Sequence, residues 1–233
     1  PPRTDAVQSF LSQETPLVEI ETSDGLVGLG YTYTIGTGGR AVLSMLQDHL
    51  LPRLLGMAAT RTAHTWNDLF SSTRATTVGA ITSLALAGVD TALWDLRGRR
   101  EGQALWRMVG GHRQSARVYD TEGGWLHLDQ DELVRTALES VERGMRGVKI
   151  KVGQADPADD LARVKAVREC IGPDIAFMVD ANYGLTVEQA IAAARRSLEI
   201  AEEAADLRLR ALALFRLGLG VYAVGDYVGA AQA

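Results

Sequence analysis

Two short strings carry the side chains of this sequence that are best suited to chemistry. The first, Lys149-Ile150-Lys151-Val152-Gly153, places two ammonium groups at alternate positions of an apolar run. The second, Val179-Asp180-Ala181-Asn182, ends an apolar run on a carboxylate. A strand of a parallel sheet is covered on both faces and normally reads as a nearly unbroken apolar run. Charge at the ends of such strands is the usual location of chemistry in α/β proteins.

These residue types are suited to metal-assisted removal of a proton. The carboxylate of Asp180 can supply one oxygen ligand to a hard cation such as Mg²⁺, which keeps other positions open for a substrate. A lysine beside such a cation loses its proton more easily and can act as a base near neutral pH. A cation and a lysine together can remove a proton next to a carboxylate, because the cation stabilises the enediolate that forms.

Each of these residues also has an ordinary structural explanation. Alternating lysines commonly mark the solvent face of an exposed strand. Asp180 could cap a helix, although the next helix signal comes later, at Thr186, and residues 182–184 could form a simple turn. The lysine-bearing strand is followed by another full strand–helix unit, which argues against an exposed edge strand and favours the chemical interpretation.

The residues before these strings have the pattern of a small α+β module. Residues 16–22 alternate apolar and acidic side chains, Ser23-Asp24-Gly25 makes a turn, and 26–33 return, which predicts a β-hairpin. The glycine-rich loop 35–39 follows, and it is either a mobile lid or a surface connection. Helical periodicity then predicts three helices, over 40–55, 62–72 and 77–97.

From Ala116 onward, strands and helices alternate. Strands are predicted over 117–119, 147–152 and 175–180, and helices over 131–143 and 158–171. A further helix begins at the capping box formed by Thr186 and Gln189. Repeated strand–helix units imply parallel strands with right-handed crossovers, so Lys151 and Asp180 end consecutive strands at one edge of the sheet. Three strands leave open whether this sheet closes into a barrel.

Composition excludes several classes of function. The chain has 233 residues, 46% of them hydrophobic and 23% charged, as in ordinary globular proteins. A net charge of −5 offers no basic surface for nucleic acid, and no apolar run is long enough to span a membrane. The single cysteine, Cys170, forms no internal disulfide, which fits the cytoplasm. Because the chain starts at Pro1 and not at methionine, we expect it to begin inside a longer protein, although processing could produce the same start.

Five strings, in order, resemble the enolase superfamily, in particular the mandelate racemase and muconate lactonizing enzyme branch with its acid-sugar dehydratases. The strings are residues 19–28, 92–96, 105–111, 148–153 and 179–182. The resemblance covers roughly Thr15 to Arg195, and the order of all five strings is more specific than any one of them.

The resemblance implies the fold class and the domain organisation. We expect an α+β capping domain followed by the first part of a (β/α) TIM-type barrel, with a helical C-terminal tail. The corresponding bounds are 1–112 for the capping domain, 113–195 for the partial barrel and 196–233 for the tail.

The resemblance also implies roles for individual residues. Lys151 is expected to be the base, Lys149 its partner that helps to hold the substrate carboxylate, and Asp180 the first Mg²⁺ ligand. The expected substrate is a sugar acid that undergoes dehydration, racemisation or epimerisation. Candidates for its pocket are Asn182, Tyr119, Tyr33 and Thr34, with residues 31–38 resembling a loop that closes over it.

The chain departs from the family pattern after Asp180. A complete TIM barrel takes about 250 residues, which is more than this whole chain, and the later acidic metal ligands have no clear counterpart. The adjacent Glu202 and Glu203 are expected to lie on a solvated helix surface. We therefore predict an incomplete site, and an open sheet whose unpaired edge leads to marginal stability or to association into a homo-oligomer.

The C-terminal residues have a different pattern. The pattern from Arg195 to Ala233 predicts helix almost throughout, and part of it resembles one tetratricopeptide repeat, although an ordinary helical hairpin would look similar. The alternative to the enzyme is therefore a catalytically inactive fragment or fusion that binds a protein partner through its C-terminal helices.

Overall fold

The structure, a computed structural model, describes residues 2–77 and 79–203. Residues 10–116 form one compact unit, and residues 2–9 together with 117–203 make up the described part of a second unit. Each unit has its own hydrophobic core. The N-terminal segment therefore belongs with the second half of the chain. The domain bounds expected from the sequence stay a prediction.

The first residues and the first compact unit contain short strands followed by helices. In chain order the elements are β1 (Arg3–Thr4), β2 (Ser9–Phe10), β3 (Gln13–Glu14), β4 (Leu17–Glu21), β5 (Val27–Tyr31), β6 (Thr34–Ile35), α1 (Gly39–Ser44), α2 (Leu51–Leu54), α3 (Thr62–Ser72), α4 (Ala80–Glu101) and α5 (Leu105–Met108). Strands β4 and β5 pair antiparallel with Leu17 opposite Tyr31, which matches the hairpin predicted from the sequence. Strands β3 and β6 form a second antiparallel pair.

The long helix α4 packs directly on the backbone of β5. A Cβ atom added to Gly30 would lie 2.1 Å from the Gly88 carbonyl oxygen, and one added to Gly28 would lie 2.4 Å from that of Ala92. The two glycines therefore allow a helix-to-strand approach that no other residue permits. The buried residues beside this contact are Val18, Val42, Leu46, Leu50, Leu69, Ala85, Leu86, Val89, Ala92 and Leu93.

The first predicted helix differs from the structure. The sequence predicts one helix over 40–55, but a π-helical segment, Met45–Leu50, separates α1 from α2. Pro52 lies at the start of α2, and its missing N–H prevents an unbroken α-helical ladder through this point. The helix predicted over 77–97 runs instead from Ala80 to Glu101 and ends at Gly102, which has a left-handed φ of 62°.

The second unit contains two parallel strands covered by helices. After the N-terminal strand β1, its elements are α6 (Gln130–Glu142), β7 (Gly147–Lys151), α7 (Pro157–Ile171), β8 (Ala176–Asp180) and α8 (Val187–Glu203). Strands β7 and β8 pair in parallel, as the strand–helix alternation predicted. Buried residues of β7, α6 and α7, together with Ile175 just before β8, form the core. The members from the three elements are Leu133, Ala137, Val148, Ile150, Val167 and Ile171.

The strand predicted over 117–119 is not formed as a strand. The chain there makes a single parallel bridge, one residue later, between Asp120 and Val148. The Asp120 N–H donates to the Gly147 carbonyl at 2.9 Å, and the Lys149 N–H donates to the Asp120 carbonyl at 2.8 Å. The run Arg117 to Tyr119 is exposed and lacks the apolar cover that would extend the pairing.

Side-chain caps start the helices of this unit. The carboxylate of Asp129 accepts from the Glu132 N–H at 2.8 Å at the start of α6. At the start of α8 the predicted capping box is present, because the Gln189 N–H donates to Thr186 Oγ1 at 3.2 Å and the Thr186 N–H donates to Gln189 Oε1 at 2.8 Å. These contacts satisfy N–H groups that have no partner within the helix.

The predicted helical tail lies mostly outside the described residues. Helix α8 continues through Arg195 to Glu203 without a break, so the expected start of the tail at 196 is not an element boundary. The repeat-like residues after 203 are outside the described residues. Within the described ranges, the helices are too short or too polar to cross a membrane.

We expect Gly30→Ala to destabilise the protein by about 1–3 kcal/mol, because the added methyl group must separate α4 from β5. Urea unfolding of the purified chain measures this loss. The matched control is Leu29→Ala, which changes a side chain on the same strand that is 48% exposed. Equal losses in the two variants would contradict the close packing proposed for Gly30.

We expect the Asp120 carboxylate to stabilise the fold in a pH-dependent way. Hydrogen bonds from the Ser140 hydroxyl and the Glu122 N–H, together with the Arg143 charge, hold the pKa of Asp120 below its usual value although burial acts to raise it. This stability is present above the unfolded-state pKa of about 3.9 and is lost as the pH falls through the lower folded-state pKa.

Asp120→Asn should therefore lower the free energy of unfolding at pH 7, and the difference from wild type should shrink below about pH 4. Urea unfolding at pH 7 and at a pH below about 4 measures the difference in unfolding free energy between Asp120→Asn and the wild type. The exposed Asp174 supplies the control Asp174→Asn, which should show a smaller effect at pH 7. A pH-independent difference for Asp120→Asn would show that the charge is not involved.

Candidate active site

Two lysines and one aspartate meet where β7 and β8 end. In the parallel register Lys151 lies opposite Asp180 and Lys149 lies opposite Met178. Because side chains alternate along a strand, Lys149 and Lys151 point to the same face. Lys151 Nζ lies 2.8 Å from Asp180 Oδ2, and Lys149 Nζ lies 3.1 Å from the same oxygen. The three residues that the sequence selected therefore form one cluster.

The lysines do not lie on an exposed strand face. Lys151 is 9% exposed, although it carries a charge, and Lys149 and Asp180 are partly buried. Burying an ammonium group is costly unless it is paired and hydrogen-bonded. The structural alternative of a solvated strand surface is thus wrong for these two residues.

Asn182 completes the hydrogen bonding of Lys151. Lys151 Nζ donates to Asn182 Oδ1 at 2.6 Å, while the Asn182 backbone N–H donates to Asp180 Oδ1 at 2.8 Å. Asn182 has a φ of 49°, in the left-handed region that asparagine tolerates better than most residues. This conformation turns the chain back after β8, so that the amide faces the lysine.

The cluster favours the ionised form of Asp180. Burial acts to raise the pKa of Asp180, but hydrogen bonds from Lys151, from the Asn182 backbone N–H and from Lys149, together with the Lys151 charge, outweigh it and lower this pKa to about 2. Asp180 is therefore a carboxylate at neutral pH and balances part of the positive charge of the lysine pair.

Aromatic rings lie beside both ammonium groups. Lys149 Nζ is 5.5 Å from the centre of the Tyr119 ring, and Lys151 Nζ is 5.6 Å from the centre of the Trp125 ring. Such cation–π contacts place each ammonium group over an aromatic ring and limit its rotation. The structure thus places Tyr119 beside Lys149, and its role in a substrate pocket stays a prediction.

Trp125 is a site residue that sequence reasoning missed. Its loop runs against β7, since the Lys151 N–H donates to the Gly124 carbonyl at 2.6 Å. A Cβ atom on Gly124 would lie 2.3 Å from the Lys149 carbonyl oxygen, so glycine is needed there. The pair Gly123-Gly124 before an aromatic residue was the one local signal of a close backbone approach.

Asp5 is the second residue that was missed. It is 5% exposed, and Asn182 Nδ2 donates a hydrogen bond to Asp5 Oδ2. No local pattern connects residue 5 with residue 182, because only the tertiary fold brings them together.

Tyr33 and Thr34 lie in the other compact unit. Tyr33 is 50% exposed, and Thr34 is buried with its hydroxyl donating to Glu14 Oε2 at 3.3 Å. The same carboxylate oxygen accepts from the Gly39 N–H at 2.9 Å, which ties the glycine-rich loop to β3. Their role in a substrate pocket stays a prediction.

The described residues do not by themselves form a magnesium site. Mg²⁺ prefers octahedral coordination by oxygen atoms, and among residues 2–77 and 79–203 no three histidine, cysteine, aspartate or glutamate side chains converge on a common point. Asp180 supplies one carboxylate, which both lysines contact. Glu202 and Glu203 are exposed at the end of α8, where the sequence placed them.

Comparisons with known proteins identify the family. The N-terminal domain model of mandelate racemase and muconate lactonizing enzyme matches residues 1–110, and the enolase C-terminal domain-like model matches residues 132–223. The chain belongs to the mandelate racemase and muconate lactonizing enzyme branch of the enolase superfamily. Its two parts are thus the capping domain and part of the TIM-type barrel of that superfamily. The second match extends to residue 223, and the comparisons give no support to the tetratricopeptide resemblance.

Similar proteins act on sugar acids, according to their names. The chain is 40% identical over 187 residues to 3,6-anhydro-alpha-L-galactonate cycloisomerase of Streptomyces coelicolor, covering 80% of this chain and 52% of that protein. It is 33% identical over 180 residues to L-talarate/galactarate dehydratase of Salmonella typhimurium, covering 77% of this chain and 45% of that protein. The chain spans about half the length of the curated relatives it matches.

Solved structures of similar proteins support the same family. A crystal structure of the Salmonella typhimurium dehydratase, liganded with Mg and L-lyxarohydroxamate, superposes with a TM-score of 0.79 at 30% identity, covering 85% of this chain and 52% of that one. A racemase from Streptomyces coelicolor with bound magnesium superposes with a TM-score of 0.78 at 37% identity, covering 84% of this chain and 55% of that one. Magnesium is thus the metal bound in these relatives.

In the metal-free protein we expect the Asp180 carboxyl to titrate near pH 2. Lys151→Met should raise this pKa toward the ordinary aspartate value of about 3.9, because the ionised form loses its strongest donor. Lys149→Met should raise it less. The ¹³C chemical shift of the carboxyl carbon, followed against pH, measures both changes. Identical titrations in wild type and Lys151→Met would contradict the contact.

Proposed function

We propose that this chain supplies the capping domain and the base-bearing part of an active site that removes the proton alpha to the carboxylate of a sugar acid. The outcome is dehydration, racemisation or epimerisation of the substrate. One observation carries the proposal, namely that Lys149 and Lys151 converge on Asp180 at the ends of neighbouring parallel strands. The names of the relatives, which include dehydratases and cycloisomerases of sugar acids, support the substrate class.

Lys151 is the proposed base. In its neutral form its Nζ atom takes the alpha proton, the C–H bond breaks, and the electron pair moves into the substrate carboxylate to form an enediolate. Asp180 and Asn182 hold Nζ in place at 2.8 and 2.6 Å. A base whose position is fixed loses little free energy to orientation when the substrate arrives.

Lys149 is the proposed carboxylate-binding partner. Its ammonium group lies on the same face as that of Lys151 and contacts Asp180 at 3.1 Å, while the Tyr119 ring lies beside it. A fixed positive charge next to the base can hold the substrate carboxylate and stabilise the negative charge that develops on it. Tyr119 and Asn182 are the proposed walls of this pocket.

Magnesium is the proposed cofactor of the complete site. When bound, the metal supplies positive charge for the enediolate. The described residues contribute one candidate ligand, the Asp180 carboxylate, and a complete coordination shell needs further oxygen ligands.

The second candidate function is that of a catalytically inactive chain. It is favoured because the described ranges hold no cluster of three potential metal ligands. The cytoplasmic location and the self-association inferred from the sequence stay predictions.

A deuterium-exchange assay tests the proposal. The chain is incubated in D₂O with Mg²⁺ and a panel of sugar acids (galactarate, talarate, glucarate, arabinonate, galactonate and mannonate), and ¹H NMR follows the alpha-proton signal and any keto-acid product. We expect exchange or dehydration with at least one substrate. Lys151→Ala should abolish it, because no base remains at this position.

The sequence offers a matched control. The chain has three lysines, and the third, Lys165, lies exposed on α7. Lys165→Ala should keep the activity of the unaltered chain. If no substrate exchanges its alpha proton, with or without Mg²⁺, this chain is catalytically inactive.

A further inference from the structure

Asp5 is connected to the proposed base through one intervening side chain. Asn182 Nδ2 donates to Asp5 Oδ2, and Asn182 Oδ1 accepts from Lys151 Nζ at 2.6 Å. We propose that Asp5 is a positioning residue, whose carboxylate fixes the orientation of the Asn182 amide so that its oxygen atom faces Lys151. This inference rests on the proposed function only in naming Lys151 as the base.

The orientation of the Asn182 amide follows from its two neighbours. An asparagine side chain has an acceptor oxygen on one side and a donor NH₂ on the other. In the observed orientation the oxygen meets the Lys151 ammonium and the NH₂ meets the Asp5 carboxylate. Rotation by 180° would place donor against donor and acceptor against acceptor, and would lose both hydrogen bonds. Asp5 therefore selects one of the two orientations.

This selection decides how firmly the Nζ atom of Lys151 is held. Asp180 Oδ2 at 2.8 Å and Asn182 Oδ1 at 2.6 Å both accept hydrogen bonds from Nζ. In the rotated orientation the Asn182 NH₂ would face the Nζ donors, so one of these two hydrogen bonds would be lost.

The N-terminal segment is built into the site by close packing. Gly153 follows β7 and Gly184 follows β8, and a Cβ atom on either glycine would lie 2.5 Å from the Cβ atom of Ala6. The Leu126 N–H donates to the Thr4 carbonyl at 2.9 Å, which fixes the segment on its other side. Asp5 is therefore held at the carboxyl ends of the two strands that carry Lys151 and Asp180.

The two oxygens of Asp5 have separate partners, which makes a selective test possible. Oδ1 accepts from the backbone N–H groups of Val7 at 2.8 Å and Gln8 at 2.9 Å, and so closes a local turn. Oδ2 faces Asn182. Asp5→Asn keeps an oxygen for the turn and replaces the other oxygen with a donor. The substitution therefore removes the contact with Asn182 and retains the turn.

The test reads the hydrogen bonds directly by NMR in the full chain. With ¹⁵N-lysine labelling there are three ammonium groups to assign, and Lys165 serves as the internal reference. In Asp5→Asn we expect the Asn182 side-chain NH₂ signals to shift, and the Lys151 ammonium protons to exchange with water at least about 10-fold faster because one of their acceptors has turned away. The Lys149 and Lys165 signals should change little.

Two further variants make the result specific. Asp5→Asn combined with Asn182→Asp exchanges donor and acceptor, so that the second side chain again offers oxygen to Lys151, and should restore slow exchange of the ammonium protons. Asp156→Asn is the matched control, because Asp156 also accepts a backbone N–H two residues later, from Ala158 at 2.8 Å, but caps α7. It should leave the Asn182 and Lys151 signals unchanged.

Where the chain turns over a substrate, Asp5→Asn should lower kcat about 10- to 100-fold with little change in KM, and the exchanged pair should recover much of the loss. Unchanged Asn182 and Lys151 signals in Asp5→Asn, or equal changes in Asp156→Asn, would overturn the proposal whether or not the chain is active. If Asp5→Asn unfolds, the variant Asp5→Ser is used in its place in every measurement. The serine hydroxyl keeps an oxygen atom for the turn. Unfolding of both variants would show that Asp5 serves folding and would also overturn the proposal.

Discussion

The parallel pairing of β7 with β8 is the constraint on which the site depends. Its register sets Lys151 opposite Asp180, and the two-residue period of the strand then brings Lys149 to the same carboxylate. A shift by one residue would turn both lysines to the opposite face and bury them in the core of α6 and α7. The hydrophobic core therefore protects the register, since Val148 and Ile150 are buried only when the lysines point the other way.

Charge balance is the second constraint. Two ammonium groups within 3.1 Å of one carboxylate oxygen repel each other, and burying them would be unfavourable without Asp180 and the oxygen of Asn182. Asp5 adds a second carboxylate to the hydrogen-bonded group through Asn182. The cluster thus pairs two ammonium groups with two carboxylates, which is compatible with partial burial.

Glycines allow the close contacts on which both units depend. In the compact unit of residues 10–116, Gly28 and Gly30 let α4 lie directly on β5. In the second unit, Gly153 and Gly184 leave room for Ala6, and Gly124 lets the Trp125 loop approach β7. In each case a methyl group would collide with backbone or with a Cβ atom, so the contact cannot adjust by moving a flexible side chain.

Much of the architecture follows from the sequence alone. The hairpin, the helix cap at Thr186 and the strand–helix order depend on neighbours in the chain. The sequence selected the paired lysines and Asp180 for the same reason. The strand expected over 117–119 is reduced to one bridge, because strand pairing depends on cover from elsewhere in the fold. The positions of Asp5 beside Asn182 and of Trp125 beside Lys151 were decided by the tertiary structure alone. Contacts between residues far apart in sequence leave no periodic pattern around residue 5 or residue 125. A glycine in the sequence also does not show which part of the backbone it allows to approach, because that depends on how the chain packs.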